Sequence, residues 1–358
     1  MAHQTVYFLG AGASYNFGYP LTNAIMPEIL HNLRHGDLFE IVRGRKTDYE
    51  REQEVVLLDY INKLYPGIKD IGVNAGQFSD NRHIPNITEV LSFVDHCVFY
   101  NLPPHPTVSD KALLNFQYLL NRAVCEVLMD HEDEAYAGNQ EQLLNSFMAP
   151  ILQGNDKATI ITTNYDLSID TVLKRKIHAN LVDLGIPYRN IADNEITLQP
   201  HGAHLKYYKL HGSLNWTRCD LCGYYYINPE GNIAFQVYRE QIDSGNTCTC
   251  SDELKLKSVL VAPSIVRDIR DSNLLQVWKG AMESIRTADE IVFVGYSLPP
   301  EDLAIKSIIV RGLNGRCGKP APRITVVQWK DDARPNYTNL FGKDINYLSE
   351  GLPEYLGI

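Results

Sequence analysis

At 358 residues, with 44% hydrophobic and 21% charged residues, the chain has the composition of an ordinary soluble globular protein, long enough for one large domain with an insertion or for two modest ones. Its net charge of −10, from 33 basic against 43 acidic side chains, opposes adhesion to nucleic acid or to an anionic membrane, so neither is expected as a direct partner. No apolar run reaches the roughly 18 residues of a membrane span and no basic-then-apolar leader opens the sequence, which makes cytoplasmic the expected location.

In chain order, Thr5–Gly10 reads as a buried strand that runs straight into Gly10-Ala11-Gly12-Ala13-Ser14, followed by an amphipathic helix over Leu21–Gly36. Residues 37–150 have helical periodicity and almost no strand signal, with a loop near Leu102–Asp110, and read as a helical module inserted after the first β–α unit. Strands are predicted at Lys157–Tyr165, Tyr207–Gly212, Ser258–Ile265, Glu290–Leu298 and Arg323–Trp329. Helices are predicted over Leu167–Ile177, Leu274–Ala288 and Glu301–Leu313. Short apolar strands alternating with helices imply an α/β fold, a Rossmann-like parallel sheet with helices on both faces. The expected division is a Rossmann domain made of residues 1–36 and 151–358, the helical module 37–150, and a small polar module, 213–257, set within the Rossmann part.

Four strand ends carry polar groups, and open parallel sheets place their ligand crevice at that edge. The first is the glycine turn, of the kind that lets a backbone approach a pyrophosphate. It does not fit G-x-G-x-x-G, because Tyr15 stands where the third glycine belongs, and no acidic residue marks the end of the next strand; an ordinary hydride-transfer dehydrogenase is disfavoured. The second is Thr162-Thr163-Asn164-Tyr165-Asp166, where an amide and a carboxylate can position a water and hold ribose hydroxyls, or equally cap the next helix. The third ends at His211, a candidate general base near neutral pH that ranks above the loop histidines His201 and His204. The fourth carries Gly295 and Ser297.

Seven cysteines in a chain without a secretion signal do not suggest a disulfide framework. Cys219-x-x-Cys222 and Cys248-x-Cys250 suit a tetrahedral Zn²⁺ inside a small ribbon. Four sulfur ligands leave no open position, so such a zinc is structural. Cys97, Cys125 and Cys317 are isolated and read as buried apolar residues.

Taken in order, GAGAS, TTNYD, LHG, the paired cysteines and GYSL resemble the sirtuin superfamily across nearly the whole chain, and most of all its divergent SIR2-like branch from bacterial antiphage-defence systems. The phrase Ile84–Val94 in the helical module is similar to one that branch tends to carry. The resemblance implies that Gly10, Ala11, Gly12, Ala13 and Ser14 cradle the NAD pyrophosphate, with Thr163 beside them. It implies Asn164 and Asp166 at the nicotinamide ribose and the reacting water, His211 as the catalytic histidine, and Gly295 and Ser297 along the adenosine half. It assigns Cys219, Cys222, Cys248 and Cys250 to a zinc ribbon.

Two departures bear on the reaction. After the glycine turn, Gly18 and Pro20 are kept but the deacylases' Asp-Phe-Arg is absent, and Thr163 replaces the glutamine of their Thr-Gln-Asn triplet. Both weigh against protein deacylation and leave cleavage of the nicotinamide–ribose bond intact. The expectation is an NAD⁺ hydrolase releasing nicotinamide and ADP-ribose, an NAD-depleting effector of antiphage defence. It would be restrained by the helical module or by a homo-oligomer contact, and triggered by a separate sensor chain such as an ATPase or Argonaute. The alternatives are an NAD-dependent deacylase and a non-catalytic sensor that binds NAD or ADP-ribose.

Overall fold

A computed structural model describes the chain except for residues 1–2, 41–45, 74–77, 79–82, 133–137, 155–156, 178–180, 192–194, 199–202, 230, 235–236, 238–246, 262–270 and 301. Strand β1 (Gln4–Leu9) lies at the centre of a seven-stranded parallel sheet, and its burial is that of a strand covered on both faces. On one side it pairs with β2 (Lys157–Thr162), beyond which come β6 (Leu205–Lys209) and β3 (Val182–Asp183). On the other it pairs with β12 (Glu290–Val294), then β13 (Arg323–Val327) and β14 (Asn346–Leu348). The chain therefore leaves β1 in both directions, which makes the crevice beyond its C-terminal end the topological switch point.

Alternation along β1 sends Val6 and Phe8 into one core and Leu9 into another. The first core is closed by helices α8 (Ser272–Thr287), α9 (Leu303–Asn314) and α10 (Arg334–Phe341), through Val277, Ile285, Ile305, Ile309 and Tyr337. The second is closed by the short α1 (Ala11–Asn16), α6 (Gly138–Gln153), α7 (Ser168–Lys176) and α11 (Gly351–Leu356).

A third core is built mainly by helices, with Leu214 of the strand Gly212–Arg218 reaching into it. There α2 (Thr22–His35) packs with α3 (Asp48–Leu64), α4 (Ile87–Tyr100) and α5 (Asp110–Asp130) around Met26, Ile29, Leu57, Val90, Phe116 and Leu119. The ends of these helices are written locally. Thr47 and Glu50 form a capping box on α3, Asn86 caps α4, Ser109 caps α5, and Gly36 ends α2 in the left-handed conformation.

The strand expected at Ser258–Ile265 is not in the main sheet. It is β11 (Lys257–Leu260), antiparallel to β7 (Gly212–Arg218), in a second sheet ordered β11-β7-β8-β4-β5; residues 262–265 lie outside the described ones. In that sheet β4 spans Tyr188–Asn190, β5 Ile196–Thr197 and β8 Tyr225–Ile227. A short apolar run specifies a strand but not its neighbour. Here the neighbour is selected at Gly212 (φ +80), where a Cβ would stand 1.9 Å from the Val259 carbonyl oxygen. Strand β6 likewise ends at Lys209, so His211 sits in the link between the two sheets.

Candidate functional site

The main sheet delivers its four polar strand ends to one place. A cavity of about 910 Å³ opens at the switch point, bordered by Ala11 and Ser14 after β1, Thr163, Asn164 and Asp166 after β2, His211 after β6, and Gly295 and Ser297 after β12. Gly10, Gly12 and Ala13 do not border it.

Those three residues make the turn itself. The Gly12 N–H donates to Gly295 O (2.8 Å) and the Ala13 N–H to Gly10 O (2.9 Å), so the turn spends these donors internally. The glycines answer to close approach: a Cβ on Gly10 would lie 2.6 Å from Tyr296 Cα, and one on Gly12 2.8 Å from Gly295 Cα. The β1 and β12 turns thus close against each other backbone to backbone.

Around Ser14 the polar groups interlock. Its hydroxyl is buried, donates to Asp166 Oδ2, and accepts from Asn164 Nδ2 at 2.6 Å. Asn164 Nδ2 also donates to Gly10 O at 2.8 Å. A carbonyl can only accept, which fixes the amide orientation; with both hydrogens committed, Oδ1 is the atom left to accept from a ligand or water. Asp166 does two jobs. Oδ2 takes the serine, while Oδ1 accepts from the Ser168 N–H at 3.0 Å, at the first residue of α7, whose N-cap position is Leu167 rather than Asp166. The bond to α7 and the bond to Ser14 are compatible, because they use different oxygens.

His211 is 2% exposed, and three hydrogen bonds pin the Leu210–His211 backbone. Leu210 N–H donates to Thr162 O (2.9 Å), Trp278 Nε1 to Leu210 O (2.8 Å) and Val261 N–H to His211 O (2.9 Å). The Tyr165 ring faces the imidazole at 6.2 Å between centroids, itself anchored by its hydroxyl to Val261 O (2.7 Å). His204 is exposed and bonds Leu152 O (2.9 Å), away from the cavity lining, and His201 lies outside the described residues.

The helices of the third core supply a wall that sequence reasoning missed. Helix α4 borders the cavity with Thr88, Glu89, Ser92, Phe93 and His96, while Val90, Leu91, Val94 and Cys97 are buried in the module core. Glu89, Phe93 and His96 are exposed, at the spacing that puts them on one helix face. Burial, and after it the Glu89 charge, pushes the Tyr65 hydroxyl up to about 12. Among the described residues that border the cavity there are three carboxylates (Glu89, Asp166, Asp302) and no Lys or Arg.

Of the three isolated cysteines Cys97 and Cys125 are buried, but Cys317, expected to be buried, is exposed. The four paired cysteines come together, with their sulfurs within 4.8 Å of one another. Cys219 follows β7, Cys222 lies in the turn to β8, and Cys248 and Cys250 flank the turn between β9 (Thr247–Cys248) and β10 (Ser251–Lys255). Cys219 Sγ to Cys250 Sγ is 3.6 Å and Cys222 Sγ to Cys248 Sγ is 3.4 Å. A disulfide is about 2.05 Å. Sulfurs at about 2.3 Å from a tetrahedral zinc stand about 3.8 Å apart, so the donor set fits that metal. Burial opposes a charge on Cys248, but hydrogen bonds from Tyr226 Oη (3.3 Å) and the Cys250 N–H (3.4 Å) outweigh it and bring the thiol down to about 6.

No family model and no curated protein matches the chain. Among solved structures it is similar to one described as the structural basis for the mechanism and regulation of Sir2 enzymes, at 15% identity and a TM-score of 0.42, covering 99% of this chain and 90% of that one. It is also similar to a Sir2–p53 peptide–NAD⁺ complex (12% identity, TM-score 0.39, 99% and 91% covered). A third is Sir2 with the inhibitor EX-527, 2′-O-acetyl-ADP-ribose and a deacetylated p53 peptide (12% identity, TM-score 0.38, 99% and 92% covered).

Proposed function

We propose that the chain is an NAD⁺ glycohydrolase that cleaves the nicotinamide–ribose bond. The observation that carries the reading is the joining of Asn164, Asp166 and His211 at one switch-point cavity, with Asn164 Oδ1 and the His211 imidazole as groups able to accept protons or hold a water.

The reaction asks little of an acid. Nicotinamide leaves as a neutral pyridine from a cationic glycoside, through an oxocarbenium-like transition state. Water adds at the ribose carbon; the C–N electron pair leaves with nicotinamide, and the water's extra proton passes to His211. The carboxylates that border the cavity favour the cationic substrate, and Asp166, joined to Asn164 through Ser14, favours the positive charge that develops in the transition state. Ala11 and Ser297 line the faces left for the diphosphate and adenosine. A zinc held by Cys219, Cys222, Cys248 and Cys250 would be structural, since four thiolates close its coordination. A role as an NAD-depleting defence effector rests on the sequence resemblance alone, and its test is whether His211→Ala removes protection from phage.

Deacylation of acyl-lysine is the second reading, favoured by the retained cysteine cluster. Purified protein incubated with NAD⁺, with and without an acetyl-lysine peptide, separates the two by mass spectrometry of the products. Nicotinamide and ADP-ribose without peptide, reduced about 10²- to 10⁴-fold in His211→Ala and Asn164→Ala, are expected. Acetyl-ADP-ribose formed only with peptide would replace the hydrolase reading by the deacylase one.

A further inference from the structure

Lys209 is the last residue of β6 and is fully buried, at 0% exposure. An ammonium there demands partners. Its Nζ donates to the main-chain carbonyl of Asp166 (2.8 Å) and to Asp170 Oδ2 (2.8 Å) in the first turn of α7. Asp170 is held in turn by Tyr207 Oη on the same oxygen (3.0 Å) and by Asn215 Nδ2 on Oδ1 (3.1 Å). Ser213 Oγ then donates to Asn215 Oδ1 at 2.6 Å. The network ties the β2–α7 link to the end of β6 and the start of β7, the segments that carry Asp166 and His211.

A buried ion pair is seldom more stabilising than apolar residues of the same volume. Tyr207 and Leu205, on the same face of β6, already pack into an apolar core where a leucine at 209 would continue the pattern. What an apolar residue would not supply is a donor for the Asp166 carbonyl. We propose that Lys209 and Asp170 are positioning residues. The ammonium fixes the Asp166 backbone so that its carboxylate meets Ser14 at the cavity, and the same side chain anchors the strand two residues before His211. The functional half of this inference rests on the reading of Asp166 and His211 as reaction machinery.

The test compares Lys209→Met, Asp170→Asn and the double variant with the wild type in full-length protein. Three quantities are read: thermal midpoint, amide exchange of the 163–168 segment, and kcat and KM for NAD⁺. Asp170→Asn leaves the buried ammonium without its counter-ion, Lys209→Met leaves the partly buried carboxylate without its cation, and each lowers the midpoint; the double variant recovers most of it. In the recovered double variant, exchange of 163–168 is expected to quicken about 10-fold or more. Its kcat is expected to fall about 10²-fold with KM within about threefold, as for a displaced reacting group. Wild-type exchange in the folded double variant would overturn the proposal, and so would wild-type kcat. If the wild type does not turn over NAD⁺, the function reading fails alone, and exchange still decides whether Lys209 holds this segment.

Discussion

Gly295 and Gly36 both have left-handed backbones, yet they answer to different demands. At Gly295 (φ +59) a Cβ would stand 2.1 Å from Ala13 N, against backbone that cannot yield; at Gly36 (φ +73) nothing lies within 4 Å. Gly36→Ala should therefore cost only the conformational preference, about 1 kcal/mol. Gly295→Ala adds overpacking between two turns and should cost more than about 2 kcal/mol. Urea unfolding of both variants checks this, and equal costs would mean that the turns do not close as described. The same contrast explains what the sequence could reveal. A glycine-rich strand end announces a close approach, but the partner here is the chain's own second turn, and nothing in Gly10-Ala11-Gly12 distinguishes that turn from a ligand. Lys209 was illegible for the opposite reason: a lysine ending an apolar strand reads as a solvated charge until its two acceptors are seen.

At the scale of elements, the parallel strands were legible because a strand buried on both faces must be a continuous apolar run, and its polar successor marks the sheet edge. The boundaries contracted by up to four residues at that edge, leaving Asn164, His211, Gly295 and Ser297 in connections rather than strands. Pairing was less legible, as β11 illustrates. Helix α4 was legible as a helix, but its apolar residues only say which face is inward, not what the other face meets. That outward face borders the cavity with Glu89 and Phe93. Neither residue is tied to the strand-end hydrogen-bond network, so both should act on substrate binding alike in the ground and transition states. Glu89→Ala and Phe93→Ala are each expected to raise KM for NAD⁺ about tenfold while kcat stays within about twofold. Steady-state kinetics read this directly; a fall in kcat at unchanged KM would place α4 in the chemical step instead.

For the molecule as a whole, the cysteine cluster and the cavity are linked through a single strand. β7 starts at Gly212, one residue after His211, and ends beside Cys219. Its far end is also tied to α8, where Arg218 donates to Asp271 Oδ2 (2.6 Å), the residue that caps that helix. Four thiolates at zinc spacing close this end of the second sheet, so metal loss should loosen β7 and, through it, the segment that seats the imidazole. Purified protein should carry one zinc per chain, and Cys222→Ser should abolish it. Stripping the metal should lower the thermal midpoint by at least about 5 °C, since 1 kcal/mol shifts a domain of this order by about 2–4 °C. Activity should fall along the same time course as the unfolding signal and return with added Zn²⁺. A metal acting in the chemistry would behave differently: turnover would vanish while the midpoint and the exchange of β7 stayed unchanged. With four sulfurs around it, a zinc would have no position to offer a water, and the first pattern is the one such coordination would dictate.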